Sequence, residues 1–422
     1  MSLNGIKNNF LYLAFFSLFC LSFVSVSLGT LSFTLFDIFI LLSLLFLGGQ
    51  FLCSKRVLWY GIPLVFYFFI AHFTLLALYP LLGFLIGTAP FLDASVVLRW
   101  LFAVFIFIFI IYELRTNSRF LTIIFSVLLI SGVLNSIYGT LTLIDMMRGL
   151  PFTMPHHFLA DELSWKVDHH LRVPALFSGP NSLGWYALLV VLISFAAYMQ
   201  FKNKFYLMVF FLHSYLLILS TARTAILVFG VLILLIFFSH LIRGFYRLTI
   251  HKNIFYFFSF LVLVLLVFFY IAQSFSIFRL DGLVRAISVL SGDVAADGSF
   301  SKRTELWQHS VDIYMNKFYP FGSWITPTYY TGTIDSGWLS YLVWSGPFMI
   351  ISSILLFLIG AIYGFKGFFK KKCNFSLSLA MASIGLAIGQ VTLSPLHYIP
   401  VLILFFLLFC LAYLSQKNRI ML

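Results

Sequence analysis

A few polar positions stand in a chain that is otherwise close to hydrocarbon, and their types suit anion and sugar chemistry. Arg223 lies in "LLILSTARTAILVFG", where small and hydroxyl residues leave room for a ligand beside a guanidinium. Arg172 opens a stretch, "LRVPALFSGPNSLGWY", that runs through a Pro/Gly-rich turn to Asn181 and Ser182 at a helix start. A helix N-terminus beside an arginine suits phosphate, because free N–H groups and a planar fork of donors both match its oxygens. "SKRTELWQHS" places Lys302, Arg303, Glu305 and His309 at helical spacing, and Arg303 offers a further phosphate contact. Asp335 stands in "TYYTGTIDSGWLSYLVWSGP", directly before an apolar run, with Tyr329, Tyr330 and Trp338 close by. A carboxylate there can take the proton of an attacking hydroxyl, and the ring faces can stack on sugars. Each feature has a plain alternative. Arg223 could snorkel to the headgroups, Asn181 and Ser182 could simply cap a helix, Arg303 could sit on a solvated face, and the aromatics could form an interfacial belt.

Metal chemistry is not expected. His156/His157 and His169/His170 are adjacent pairs, not a pair one helical turn apart, and no carboxylate cluster accompanies them. Cys20, Cys53, Cys373 and Cys410 lie in or beside apolar runs without C-x-x-C spacing, so neither a disulfide nor a zinc site is expected.

The elements that must hold these residues follow from composition. The chain is 62% hydrophobic and only 9% charged, so most of it cannot face water and an all-α, polytopic membrane protein is expected. Apolar runs near Phe10, Leu31, Val57, Ser95, Phe120, Asn181, Phe205, Thr221, Ile254, Gly337, Phe375 and His397 give about twelve spans at roughly 17–25 residues each. The first run lacks a small-residue cleavage site, so it reads as a span and not as a removable signal.

Charge sets the orientation. Sixteen of the 26 Lys and Arg fall in alternate connections, from Lys7 through Arg115, Lys202, Arg243 and Lys370 to Lys417, and of the acidic residues only Glu113 joins them. The positive-inside rule makes these connections cytoplasmic, with both termini inside, and accounts for the net charge of +13 without nucleic acid. The external side keeps two long connections, residues 145–180 and 274–336, and a short apolar one, 80–94, that could re-enter the membrane. Long connections are uncommon without a function. No repeat or low-complexity tract divides residues 1–422, which read as one membrane domain. Within the second long connection, 301–318 has the spacing of an amphipathic helix capped by Ser301 or Thr304.

In their order and sidedness these patches resemble the bacterial O-antigen polymerase (Wzy) family, within the O-antigen polymerase and ligase superfamily. The patches that carry the resemblance, across residues 95–400, are "RVPALFSGPNSLG", "STARTAILVFG", and "RTELWQHSVDIYMNKFYPFGSW" leading to "DSGWLSYLVWSG". It implies a metal-independent, cofactor-free glycosyltransferase of the bacterial inner membrane that joins undecaprenyl-diphosphate-linked repeat units at the periplasmic face. Arg172, Arg223 and Arg303 would bind the donor diphosphate, with Asn181, Tyr329, Tyr330 and Trp338 as further substrate contacts and Asp335 as the base. The implied partners are lipid-linked oligosaccharide donor and acceptor, membrane lipids and a chain-length regulator protein, with no nucleic acid. Ligases carry a histidine where this chain has Asp335, which looks more like the polymerases. The R-x10-G loop pattern of some polymerases is missed by one residue, at Gly184. The alternatives are a ligase that transfers glycan to lipid A core, or a flippase. Twelve spans with both ends inside would fit a flippase, but the polar residues gather near the external face and not at midplane depth.

Overall fold

Long runs of Leu, Ile, Phe and Val with few charges can satisfy their backbone inside a membrane only by hydrogen bonding along the chain, and helices result. The structure, a computed structural model, describes residues 3–20, 25–28, 31–34, 38–40, 42, 64–87, 94–148, 173, 175–177, 179–247, 298–324 and 336–417. Its helices are α1 (Leu3–Cys20), α2 (Leu64–Leu85), α3 (Ala94–Thr116), α4 (Phe120–Arg148), α5 (Pro180–Phe201) and α6 (Lys204–Leu219). They continue with α7 (Arg223–Arg247), α8 (Gly298–Ile313), α9 (Gly337–Lys371), α10 (Asn374–Gly389) and α11 (Ile399–Gln416). Among the described residues, six helices are long and apolar enough to cross a membrane. Together they make a multi-pass helical membrane protein.

The helix starts follow the apolar runs closely, and where they differ the cause is local. The run near Leu31 includes an antiparallel hairpin, Ser25–Leu28 with Leu31–Thr34, and "SVSL" and "LSFT" do alternate polar with apolar as strands require. The other described elements are helical. The amphipathic stretch is confirmed, but α8 begins at Gly298, ahead of both Ser301 and Thr304, so neither is its cap. It passes into a π-helical turn, Tyr314–Phe318. The runs near Val57 and Ile254, residues 88–93 of the short apolar connection, and Cys53 lie outside the described residues.

α5 and α11 are buried over nearly their whole length, and the other helices surround them. Apolar side chains gain little by leaving lipid for protein, so contact between helices depends on small residues and on hydrogen bonds. Gly360 and Gly364 of α9 face Ser383, Ser376 and Ala380 of α10, and a Cβ on Gly364 would come within 2.5 Å of the Ser376 carbonyl oxygen. Ser378 of α10 donates to the Leu192 carbonyl of α5 at 2.8 Å.

One end of the bundle gathers basic residues. Lys7 pairs with Glu113 at 2.9 Å, both buried, and Asn117 donates to the same carboxylate and to Asn8. Arg115 reaches the Tyr413 hydroxyl at 3.4 Å, and the Arg243 guanidinium lies 4.6 Å from the Phe368 ring centre. Contacts of α1 with α3, α3 with α11 and α7 with α9 therefore gather at this end.

α9 is not a straight span. Trp338 and Phe357 are 19 positions apart (357 − 338), about 28 Å along a continuous helix, yet their ring centres lie 6.0 Å apart. The chain doubles back at Gly346, whose φ 67°, ψ −165° belongs to a region open essentially to glycine alone, and Pro347 follows. Residues 337–345 thus rise to the fold-back as a half-helix beside 347–371. The fold-back leaves carbonyls without helical partners, and the chain just before α9 supplies them: Ser323 N–H donates to Val343 O at 2.7 Å and Trp324 N–H to Trp344 O at 2.9 Å.

Candidate functional site

Arg223 is the first residue of α7, at the end of the bundle opposite the basic one. The turn into it is built from small residues. Ser220 Oγ accepts from the Ala222 N–H at 3.2 Å, and Thr221 takes a left-handed φ of 49°. Gly184 of α5 packs directly beneath, where a Cβ would lie 2.5 Å from that of Ala222. The "STARTA" sequence is therefore small because α5 passes close behind it, while Arg223 itself is exposed. Arg223 takes no part in the Lys7–Glu113 ion pair.

Its neighbour Thr224 shares a hydrogen bond with Thr392 at 3.1 Å, which ties α7 to the turn between α10 and α11. That turn organises the rest of the site. The Gln390 carbonyl accepts from the Gly337 N–H at 2.8 Å and the Trp338 N–H at 3.3 Å, and Ser336 Oγ donates to it at 3.3 Å. Ser336 Oγ also caps the half-helix by accepting from Leu339 N–H. The wholly buried Gln390 side chain lies against the Gly337 Cα, in space a β-carbon would fill. Trp185 of α5 and Pro395 both pack on Gly389 in the same region. The elements that carry Asn181, Arg223 and Trp338 thus converge on residues 389–395.

Asn181, partly buried, is the second residue of α5, behind Pro180, whose missing N–H costs nothing at that position. Trp338 is the second residue of α9 and half-buried. Arg303, also half-buried, is carried by α8, and the turn that follows that helix docks on the fold-back of α9 through Gly322. Arg172, Tyr329, Tyr330 and Asp335 lie outside the described residues, as do the four paired histidines. Their flanking residues are placed: Val173 follows Arg172, and Ser336 follows Asp335.

Val173 belongs to a segment that is pinned from inside the bundle. Leu176 N–H donates to Asn135 Oδ1 at 3.1 Å, and a Cβ on Gly139 would touch Val173 and Ala175. From Asn135 a buried chain continues through Ser131 and the Tyr186 hydroxyl, 2.9 Å apart, to His213 Nε2 at 3.3 Å. His213 Nδ1 lies 2.9 Å from the Val209 carbonyl, which can only accept, so the proton is on Nδ1 and Nε2 accepts from Tyr186. Each group in the chain then has a partner, as polar groups at this depth require.

Sequence reasoning missed the turn residues Gln390 and Thr392, and His397, whose ring meets that of Tyr341 edge-on at 5.9 Å. Their signal was the polar stretch "QVTLSPLH" between two apolar runs.

Residues 207–369 match the family model Wzy_C, described as O-antigen ligase. The match is consistent with the O-antigen polymerase and ligase superfamily and supports a membrane enzyme of that general type. No curated protein and no solved structure matches the chain. The Wzy_C stretch takes in Arg223, Arg303, the position of Asp335, Trp338 and the fold-back of α9. Asn181 and the Gln390–Thr392 turn fall outside it and reach it by packing.

Proposed function

We propose that this protein is an O-antigen polymerase, a glycosyltransferase that joins undecaprenyl-diphosphate-linked repeat units at the periplasmic face of the bacterial inner membrane. The observation that carries this reading is Arg223: an exposed guanidinium on the first residue of a membrane helix, inside the Wzy_C stretch, next to a second helix start at Gly337. A guanidinium stays protonated and matches phosphate oxygens in pairs, so it can hold a diphosphate and stabilise the charge that grows on it as it leaves.

In this mechanism the bond between the donor's anomeric carbon and the diphosphate oxygen breaks. Its electron pair leaves with the lipid diphosphate, held by Arg223 with Arg172 and Arg303. The acceptor's hydroxyl oxygen forms the new glycosidic bond, and its proton passes to Asp335. Asn181, Trp338, Tyr329 and Tyr330 contact the sugars. Arginines carry the charge stabilisation, and no metal or cofactor is invoked. A chain-length regulator is a natural partner for the two long connections, residues 145–180 and 274–336, at the proposed periplasmic face.

The ligase reading, with lipid A core as acceptor, draws on the description of the family model itself. Purified protein given lipid-linked repeat units alone separates the two. A ladder of extended glycans without core supports the polymerase, whereas transfer only on addition of core supports the ligase. Asp335→Asn keeps the shape and removes the base, and an unchanged extension rate would take Asp335 out of the mechanism.

A further inference from the structure

The second long connection carries a surface that the proposed reaction does not use. Along α8 and its π-helical turn, Val311, Met315 and Tyr319 recur every fourth residue, with Phe321 just beyond. Met315, Tyr319 and Phe321 are each more than half exposed, at 57%, 65% and 56%. The adjacent arc of the helix shows Glu305, Gln308, His309 and Asp312 to solvent. One exposed arc is thus apolar and the next polar, while Tyr314 and Ser310 on the remaining side are buried. An apolar stripe of this size beside a polar one is the pattern of a helix lying in a membrane surface.

The position of the stripe is set by the bundle. Pro320 and Phe321 pack against Gly346, and Gly322 against the Trp344 carbonyl, so the tip sits at the fold-back of α9. Directly after that fold-back, Phe348 and Ile351 begin the exposed apolar face of 347–371. On the other flank, the Trp324 ring meets Tyr79 of α2 edge-on at 6.4 Å, and the last turn of α2 exposes Leu82 and Leu85. The stripe therefore continues the lipid-facing surface of two membrane helices, and this continuity identifies what covers it. We propose that α8 and the turn after it lie in the bilayer interface, with Met315, Tyr319 and Phe321 among the acyl chains of the leaflet at this end of the bundle. A helix held this way keeps Arg303 at a fixed height relative to the headgroup phosphates. The inference does not depend on the reaction proposed above.

Site-directed fluorescence quenching tests it on the full chain in phosphatidylcholine/phosphatidylglycerol vesicles. Met315→Cys, Tyr319→Cys, Gln308→Cys and Phe348→Cys are each labelled with an environment-sensitive fluorophore, and the labelling of the unsubstituted chain is subtracted. All four replace exposed side chains, and an unchanged gel-filtration profile confirms that each variant is folded. Quenching by lipids brominated on their acyl chains should reach positions 315 and 319 to within about twofold of position 348, while dissolved iodide quenches position 308. Iodide quenching of 315 and 319 equal to that of 308 overturns the inference. Protection of 315 and 319 that arises only on adding a polyprenyl diphosphate also overturns it, because the stripe would then be a groove for a substrate tail.

Discussion

The two ends of the bundle use their cations differently. At the basic end, Lys7 is buried against Glu113, Arg115 meets the Tyr413 hydroxyl, and Arg243 lies on the Phe368 ring, so these charges help to hold helices together. At the opposite end the helices are held by a threonine pair, by glycines and by the carbonyl of Gln390, and Arg223 is left exposed. A charge in a low-dielectric surrounding that serves the fold needs a partner within the fold. A guanidinium left exposed at a helix start, where neutral groups do the fastening, is what the proposed diphosphate site requires.

Substitutions at each end can break this contrast. Glu113→Ala leaves Lys7 buried without its counter-charge and should cost about 3–5 kcal/mol of stability, read as a fall in the thermal unfolding temperature in detergent. The double change Lys7→Met with Glu113→Leu should recover most of that loss. Arg223→Ala should do the reverse: unfolding stays within about 0.5 kcal/mol of the parent, while glycan extension drops roughly 10²–10³-fold. An Arg223→Ala protein that extends lipid-linked repeats at the parental rate would end the distinction between the two ends. Gly346→Ala forces a β-carbon into a backbone conformation reserved for glycine and against the Pro320 carbonyl. A loss of about 1–3 kcal/mol is expected, with faster protease cleavage around residues 319–324 as that segment lifts from α9. Thr224→Val removes only the bond to Thr392 and should cost about 0.5–1.5 kcal/mol, with a smaller effect on extension rate than Arg223→Ala.

The membrane class and most helix positions were legible in the sequence because they depend on local composition. The starts at Pro180, Lys204 and Asn374 fall at the edges of apolar runs, and Asn203 caps α6 by accepting the Phe205 N–H at 2.9 Å. The fold-back of α9 was not read, because "GWLSYLVWSGPFMII" stays apolar throughout and hydropathy does not register a change of direction. The Gly-Pro pair inside it was the available sign. The hairpin at 25–34 was obscured in the same way, since a search for span-length runs passes over a period of two. Within the site, Arg223 stood out as a charge in an apolar run. Its link to Thr392 did not, because the 168 positions between Thr224 and Thr392 are bridged only by the packing of α5, α7 and α10.

The half-helix 337–345 takes its depth from the protein and not from the membrane. At 1.5 Å per residue the 347–371 part of α9 is about 37 Å long, more than the ~30 Å hydrocarbon layer, and it can lean to match bilayers of different thickness. Gly337 and Trp338 are fastened to the Gln390 carbonyl, and Thr224 to Thr392 two residues further on. As the outer helices tilt, the two helix starts keep their separation. Glycan extension in vesicles should therefore vary little with acyl-chain length, like a gauge block clamped within a frame that flexes.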